Sequence, residues 1–302
     1  MTTIIDPAVV AATSRKDMRE QLATLPEPLH LVGILAADRG PSSTYASYTE
    51  RACADLGIEF ELRRNMRLTV ESAIRAANAD ESVHGIMVYY PIFGTEQDGY
   101  LRDVVDPEKD IEGLHSSWAH RLYENQRYLD AAKTKKAILP CTPLAILKLV
   151  ESAGYFVAHA RPLEGRTVCI FNRSEVVGRP LASMMAHDGA RVFSFDIDGP
   201  LLFEPAADIE ASHMLSETCV DRTNALQASD IVITGVPSKH FELVRAEELR
   251  PGALCINFST YKNFSDDVQG RAGSFVPRVG PMTVLMAIRN AIRLYSNARH
   301  QG

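Results

Sequence analysis

The strongest constraint on this chain is a repeated alternation. A short apolar run rich in Val, Ile and Leu is followed by a stretch with helical periodicity, and then by another apolar run. Leu29 to Ala36 reads as a buried strand. Pro41, Ser42 and Ser43 supply a turn and a cap before a helix from about Thr44 to Leu56, which Gly57 stops. Ile58 to Leu62 alternates as a strand does, and Thr69 to Asn78 is helical with Val70, Ile74 and Ala77 on one face. Gly85 to Tyr90 is a further strand, broken by Pro91. Strands joined through helices pair in parallel with right-handed crossovers, so the fold class is α/β.

The second half starts the pattern again. Pro140 to Ala153 is a helix with Pro143 in its first turn. Arg166–Phe171, Ala190–Asp196, Asp230–Thr234 and Ala253–Phe258 read as strands, and Val176–His187 as a helix closed by Gly189. The segment from Gly199 to Ser229 fits no element clearly. Met282 to Asn297 is a helix with an apolar stripe of Val284, Ala287, Ile288, Ala291 and Ile292. Two α/β domains with a cleft between them are expected. The first is residues 1–147 with the C-terminal helix 282–302 packed back on it. The second is a Rossmann-type parallel sheet over 148–281, the switch falling inside the helix that starts at Pro140.

Composition excludes several classes. With 302 residues and 46% hydrophobic content the chain can bury a large core or two modest ones. A net charge of −6 weighs against nucleic acid, whose phosphates need a basic face. The five cysteines form no C-x-x-C pair, so neither a disulfide framework nor a metal site is expected. No apolar run approaches the roughly 20 residues that span a bilayer, and M-T-T-I-I-D-P does not read as a leader. A cytoplasmic chain without membrane contact is expected.

The turn F-N-R-S-E-V-V-G-R-P, Phe171 to Pro180, joins a strand to a helix N-terminus, where unpaired N–H groups and the helix dipole favour an anion. It lacks the G-x-G-x-x-G fingerprint, and a bland strand-to-helix turn has the same form. Gly178 allows close approach to a pyrophosphate, Ser174 can cap the helix and Arg173 can pair with phosphate. About 20 residues on, the next strand ends at Asp196, followed by Ile197 and Asp198. An acid there grips the ribose hydroxyls of NAD and repels the 2′-phosphate of NADP, though a strand-end acid also serves simply to cap a loop. T-G-V-P, Thr234 to Pro237, puts a glycine at a third strand end. The cofactor candidates are Asn172, Arg173, Ser174, Val177, Gly178, Asp196, Ile197, Gly235, Val236 and Pro237, with NAD as the cofactor.

Seven segments in order, T-Y-A-S-Y-T, Y-Y-P-I-F, P-E-K-D-I-E-G, P-C-T-P, N-R-S-E-V-V-G-R-P, I-T-G-V-P and V-G-P-M-T, make the chain resemble the methylenetetrahydrofolate dehydrogenase/cyclohydrolase family along nearly its whole length. Its departures look like the monofunctional NAD-dependent branch. The family carries Tyr-x-x-x-Lys on a helix; here Tyr45 is followed by Thr49. Tyr89 stands where the family has Gln, and Glu112 where it has Asp. The resemblance implies a folate site made by Tyr45, Thr49, Tyr89, Glu112, the segment Pro140 to Pro143, and Pro281. It makes Glu112, Tyr89, Thr49 and, more remotely, Cys141 the candidates for chemistry.

The resemblance further implies hydride transfer from 5,10-methylenetetrahydrofolate to NAD, within one-carbon metabolism and purine biosynthesis, by a homodimer. Glu112 would bond the pteridine and favour the developing cation. Opening the methenyl ring with water needs a group that handles protons, which a threonine hydroxyl does not supply. Cyclohydrolase activity is therefore expected to be absent. The competing readings are a bifunctional NADP-dependent enzyme of the same family and a folate-binding pseudoenzyme.

Overall fold

The structure is a computed structural model that describes residues 2–37 and 39–299. In chain order the elements begin with β1 (Thr3–Ile4), α1 (Pro7–Leu22), β2 (His30–Leu35), α2 (Pro41–Leu56), β3 (Glu59–Arg64), α3 (Val70–Ala79) and β4 (Gly85–Val88). The helices α4 (Gln97–Val104), α5 (Ser116–Tyr123) and α6 (Cys141–Ser152) follow. Then come β5 (Thr167–Phe171), α7 (Gly178–His187), β6 (Arg191–Asp196), β7 (Gly199–Glu204), β8 (Met214–Glu217) and α8 (Arg222–Ala228). The chain finishes with β9 (Ile231–Thr234), β10 (Leu254–Asn257), β11 (Ser274–Val276) and α9 (Gly280–Arg299).

The chain forms two compact units. One comprises residues 11–121, 127–141 and the chain from Thr283 onward; the other comprises the N-terminal residues through Val10, Leu122–Gln126 and Thr142–Met282. The division differs from the sequence expectation in three details. The boundary lies at the first residue of α6 rather than inside it. Residues 122–126 join the later unit, where Asn125 Nδ2 donates to the carbonyls of Ile209 and Ala211 (2.9 and 3.1 Å). The start of the chain joins it too, because β1 pairs with β11, Thr3 opposite Ser274, and supplies backbone partners to that strand's open edge.

The earlier unit is built on a three-stranded parallel sheet in the order β3-β2-β4. Val32, Ile34, Ile86 and Val88 pack against Val70, Ile74 and Ala77, the face of α3 that the periodicity marks. Residues 109–111 run beside β4 as a further short parallel segment. Ile86 N–H donates to Lys109 O (2.7 Å), and Ile111 N–H to Ile86 O (3.4 Å). Lys109 anchors that segment, because its Nζ donates to the carbonyls of Ala77 (3.3 Å), Asn78 (2.8 Å) and Asp80 (2.7 Å) at the end of α3. On α9, Tyr295 Oη donates to Glu27 (3.0 Å) and Asn297 Nδ2 to Lys136 O (3.1 Å), so the C-terminal helix is held by side-chain bonds as well as by its apolar stripe.

The later unit holds an eight-stranded sheet in the order β1-β11-β10-β9-β5-β6-β7-β8. Six strands are parallel, as the alternation requires; β7 and β8 are antiparallel additions. They lie in the stretch that fits no element by sequence. Only Ile197 and Asp198 separate β6 from β7, and so short a connection forces a hairpin rather than a crossover. The helix α1 also escapes the periodicity reading, although Asp6, which accepts Ala8 N–H (2.9 Å), and Pro7 at its first position mark its start. Replacing Lys109 with Met removes a charged donor from three carbonyls. We expect a loss of about 1–3 kcal/mol of stability, read by urea unfolding.

Candidate functional site

Five of the expected folate residues share one neighbourhood in the earlier unit. Tyr45 on α2 meets Tyr89, just past β4, edge to face with ring centroids 5.8 Å apart. Glu112 follows the segment that runs beside β4, and its Oε2 accepts the Val88 N–H at 3.0 Å. Its carbonyl accepts Cys141 N–H (3.2 Å) at the start of α6. Gly113 has φ +69°, and a Cβ there would lie 2.8 Å from the carbonyl of Leu139, so the Glu112 turn rests directly on the Leu139–Pro140 strap. Pro281 is the second residue of α9 and belongs to the other unit.

The protonation of this group follows from burial. Glu112 is pushed up to about 8, first by burial and then by the neighbouring Asp110 carboxylate, while the Val88 N–H pulls it back. Burial also pushes Tyr45 and Tyr89 well above the ordinary phenol value. The Tyr89 hydroxyl is buried beside the Thr49 hydroxyl, which lowers its pKa against the larger effect of burial.

Two of the candidates for chemistry are engaged with their neighbours. Thr49 is 1% exposed, and its hydroxyl donates back to Tyr45 O (3.0 Å) with Met87 Sδ at 3.8 Å. Its proton is engaged with its own helix, so it neither titrates nor reaches outward. Cys141 is buried; its thiol donates to Ile111 O (3.2 Å) and receives Asn290 Nδ2 (3.6 Å). Burial, then Glu112 and Asp110, push its pKa well up, which favours the neutral thiol.

The dinucleotide candidates gather at the carboxyl ends of β5, β6 and β9. Asn172 has φ 145°; its Nδ2 donates to Gly235 O (3.1 Å), and its Oδ1 accepts the N–H (3.0 Å) and hydroxyl (2.6 Å) of Ser174. Ser174 Oγ in turn faces Gly178 N–H at 3.5 Å. Gly178 cannot be larger, since a Cβ would sit 1.9 Å from Asn172 O. The helix begins there, one residue after Val177, rather than at Val176. Gly235 is as confined, a Cβ lying 1.8 Å from the Phe258 ring.

Asp196 ends β6, exposed, with Oδ2 accepting Arg173 N–H (2.6 Å) and Oδ1 accepting Ile197 N–H (2.7 Å). Each oxygen keeps a lone pair for a further donor. Ile197 is fully exposed beside it. The Arg173 side chain has protein partners of its own, while its Nη1 is buried with no hydrogen-bond partner. Its guanidinium pairs with Asp198 and donates to Gly199 O (2.5 Å), bracing the β6–β7 turn that carries Asp196.

Sequence reasoning missed the supports. Asn263 is fully buried and clamps Val236, with Oδ1 accepting its N–H (2.9 Å) and Nδ2 donating to its carbonyl (3.1 Å). Ser259 Oγ bonds the same carbonyl (2.9 Å), leaving Pro237 exposed just beyond. Asp110 and Asn290 were missed in the same way. The usable signal was an amide or acid inside an apolar context, which is costly unless its partners are fixed.

The chain matches the model for the tetrahydrofolate dehydrogenase/cyclohydrolase catalytic domain over residues 5–112 and that for its NAD(P)-binding domain over 140–299. It is 41% identical over 292 residues to a methylenetetrahydrofolate dehydrogenase [NAD(+)] of Schizosaccharomyces pombe, covering 95% of this chain and 91% of that one. It is 40% identical over 297 residues to a protein of the same description from Dictyostelium discoideum, covering 97% and 94%. Among solved structures, the NAD-dependent 5,10-methylenetetrahydrofolate dehydrogenase from Saccharomyces cerevisiae superposes with a TM-score of 0.92 at 38% identity, over 99% of both chains.

Gly178→Ala drives a Cβ into backbone that has no side chain to swing away. We expect a destabilisation of about 1–3 kcal/mol, visible as a lowered Tm, whereas Arg179→Ala on the exposed face of the same helix turn stays within about 0.5 kcal/mol.

Proposed function

The chain belongs to the tetrahydrofolate dehydrogenase/cyclohydrolase family, and from that premise we infer that it oxidises 5,10-methylenetetrahydrofolate to the 5,10-methenyl form with NAD. It is a methylenetetrahydrofolate dehydrogenase of one-carbon metabolism, like the curated relatives at about 40% identity. The single observation that carries the cofactor reading at the residue level is Asp196 at the end of β6, held by two backbone N–H groups in the place of a ribose-binding acid. The glycines at 178 and 235 let the β5 and β9 turns pack against Asn172 and Phe258 beside that acid.

The folate residues then have distinct tasks. NAD, when bound, supplies the hydride acceptor. Tyr45 and Tyr89 give an edge-to-face aromatic wall for the pteridine. Glu112, ionised, accepts from the pteridine amino and ring N–H groups and faces the cation that forms as hydride leaves. Binding those donors favours its charged form over the neutral acid of the empty site.

We further propose that the cyclohydrolase step is absent. What supports this is Thr49, whose hydroxyl is consumed by Tyr45 O and Met87, with no amine offered on that helix face. Hydrolysis needs proton handling on both water and leaving nitrogen. We also place the protein in the cytosol as a homodimer, serving purine synthesis. Five free cysteines fit a reducing compartment, and the dimer rests on the family likeness alone. Among the described residues no helix is long and apolar enough to cross a membrane.

Mixing protein, methylenetetrahydrofolate and NAD should generate NADH absorbance. NADP in its place should be poorer by on the order of 10²-fold in kcat/KM, because Asp196 would share desolvated space with a 2′-phosphate. Equal kcat/KM for the two cofactors defeats the Asp196 assignment. The methenyl chromophore should accumulate and decay no faster than in buffer; enzyme-dependent decay at a rate comparable to the dehydrogenase step refutes the monofunctional reading.

The pH profile gives a second check. In the free enzyme Glu112 is mostly protonated below about 8, and the ionised form is the one that binds. kcat/KM for the folate should therefore rise with pH through that value and level off above it. Glu112→Gln should lower kcat/KM by roughly 10²-fold and abolish this rise while leaving NAD affinity nearly unchanged. A rise retained in Glu112→Gln assigns it to another group.

A further inference from the structure

The link that carries Glu112 is held by buried side chains to which the reaction assigns nothing. The Asp110 carboxylate, 4% exposed, accepts the N–H groups of Glu112 (3.1 Å) and Gly113 (3.0 Å) on one oxygen, and of Leu114 (2.7 Å) and His115 (2.8 Å) on the other. From the opposite side Asn290, fully buried on α9, donates through Nδ2 to the carbonyls of Ile111 (3.0 Å) and Leu139 (2.9 Å). With Ile111 N–H on Ile86 and the Glu112 carbonyl on Cys141 N–H, all four backbone polar groups of the Ile111–Glu112 pair have partners. A carboxylate that satisfies four consecutive donors sets where that backbone lies. An amide bonded to two separate straps sets the distance between them.

We propose that Asp110 and Asn290 are positioning residues of the oxidation, which together aim the Glu112 carboxylate at the folate by fixing the backbone that carries it. The proposal rests on the reading of Glu112 as the folate-binding acid. The groups facing Glu112 are Asp110 on its own segment, Tyr45 from α2, Tyr89 and Tyr90 past β4, and Cys141 from α6. Burial pushes the three phenols and the thiol well up, so they are neutral while Glu112 titrates. Asp110 is itself held above the ordinary carboxylate value, burial outweighing the pull of its four N–H donors, and its carboxylate is the like charge that raises Glu112. Asp110 is thus the one charge among them that Glu112 meets. Asn290 carries none, so the two supports have separable signatures.

Asp110→Asn, Asn290→Ala and Glu112→Gln should be compared with the unaltered enzyme by kcat/KM for folate, KM for NAD, and the pH profile. Asp110→Asn should lower folate kcat/KM by roughly 10²-fold, since small misplacements of a catalytic contact have that effect. Its rise with pH should move toward acid by about one unit or more, because a like charge has gone. Asn290→Ala should lower folate kcat/KM while the rise stays where it is. NAD KM should hold in both. A rise unmoved in Asp110→Asn, or losses spread equally over folate and NAD, would mean that Asp110 only supports the fold. Should Asp110→Asn melt below the assay temperature, Asn290→Ala decides: unchanged folate kcat/KM overturns the proposal. A near-normal Glu112→Gln sinks the reading of Glu112 instead, whereas an impaired Glu112→Gln with an unmoved Asp110→Asn profile sinks this inference alone.

Discussion

Parallel pairing is the constraint from which the rest follows. Parallel strands deliver their last residues to the same side of a sheet, and both residue clusters are assembled from what comes next. In the smaller sheet β4 ends at Val88, whose N–H holds Glu112, and Tyr89 follows immediately. In the larger sheet the register sets Phe171 opposite both Thr234 and Phe195. Asn172, Gly235 and Asp196 therefore arrive together, and the bonds from Asn172 to Gly235 O and from Arg173 N–H to Asp196 join the three strand ends into one rim.

Two neighbouring carboxyls in the earlier unit are treated unequally. Asp110 receives four backbone donors and Glu112 one. Both are desolvated, so the better-bonded acid carries charge first and the other holds its proton longer. The cluster thereby avoids two buried negative charges side by side.

Sequence showed the parts that local physics dictates. The strands and helices of both units follow from hydrophobic period, and Asp196 was visible because its position, at a strand end some 20 residues past a turn, is set by connection lengths. The β6–β7 hairpin was overlooked although Asp198-Gly199, with Gly199 at φ 99°, is the kind of pair that marks such turns. The residues of the folate cluster came from family likeness rather than from spacing, as nothing in a polar loop distinguishes Glu112 from an exposed acid. Likeness also carried over too much. Thr49 and Cys141 occupy positions the motif singles out, yet one hydroxyl is spent on its own helix and one thiol on a neighbouring carbonyl. Asp110, Asn290 and Asn263 stayed hidden because their partners are backbone groups brought close only by folding; Asn290 and Ile111 lie 179 positions apart.

The Asp110 cradle grips main chain, and that has a bearing on how such a site changes over generations. Its four donors belong to the peptide links of residues 112–115 and survive replacement of Glu112, Leu114 or His115 by any residue except proline. A lineage can therefore lengthen an aspartate to a glutamate at position 112, or exchange Leu114 and His115, without dismantling the frame that presents them. The frame depends on one buried acid, and the side chains it displays are not what holds it together.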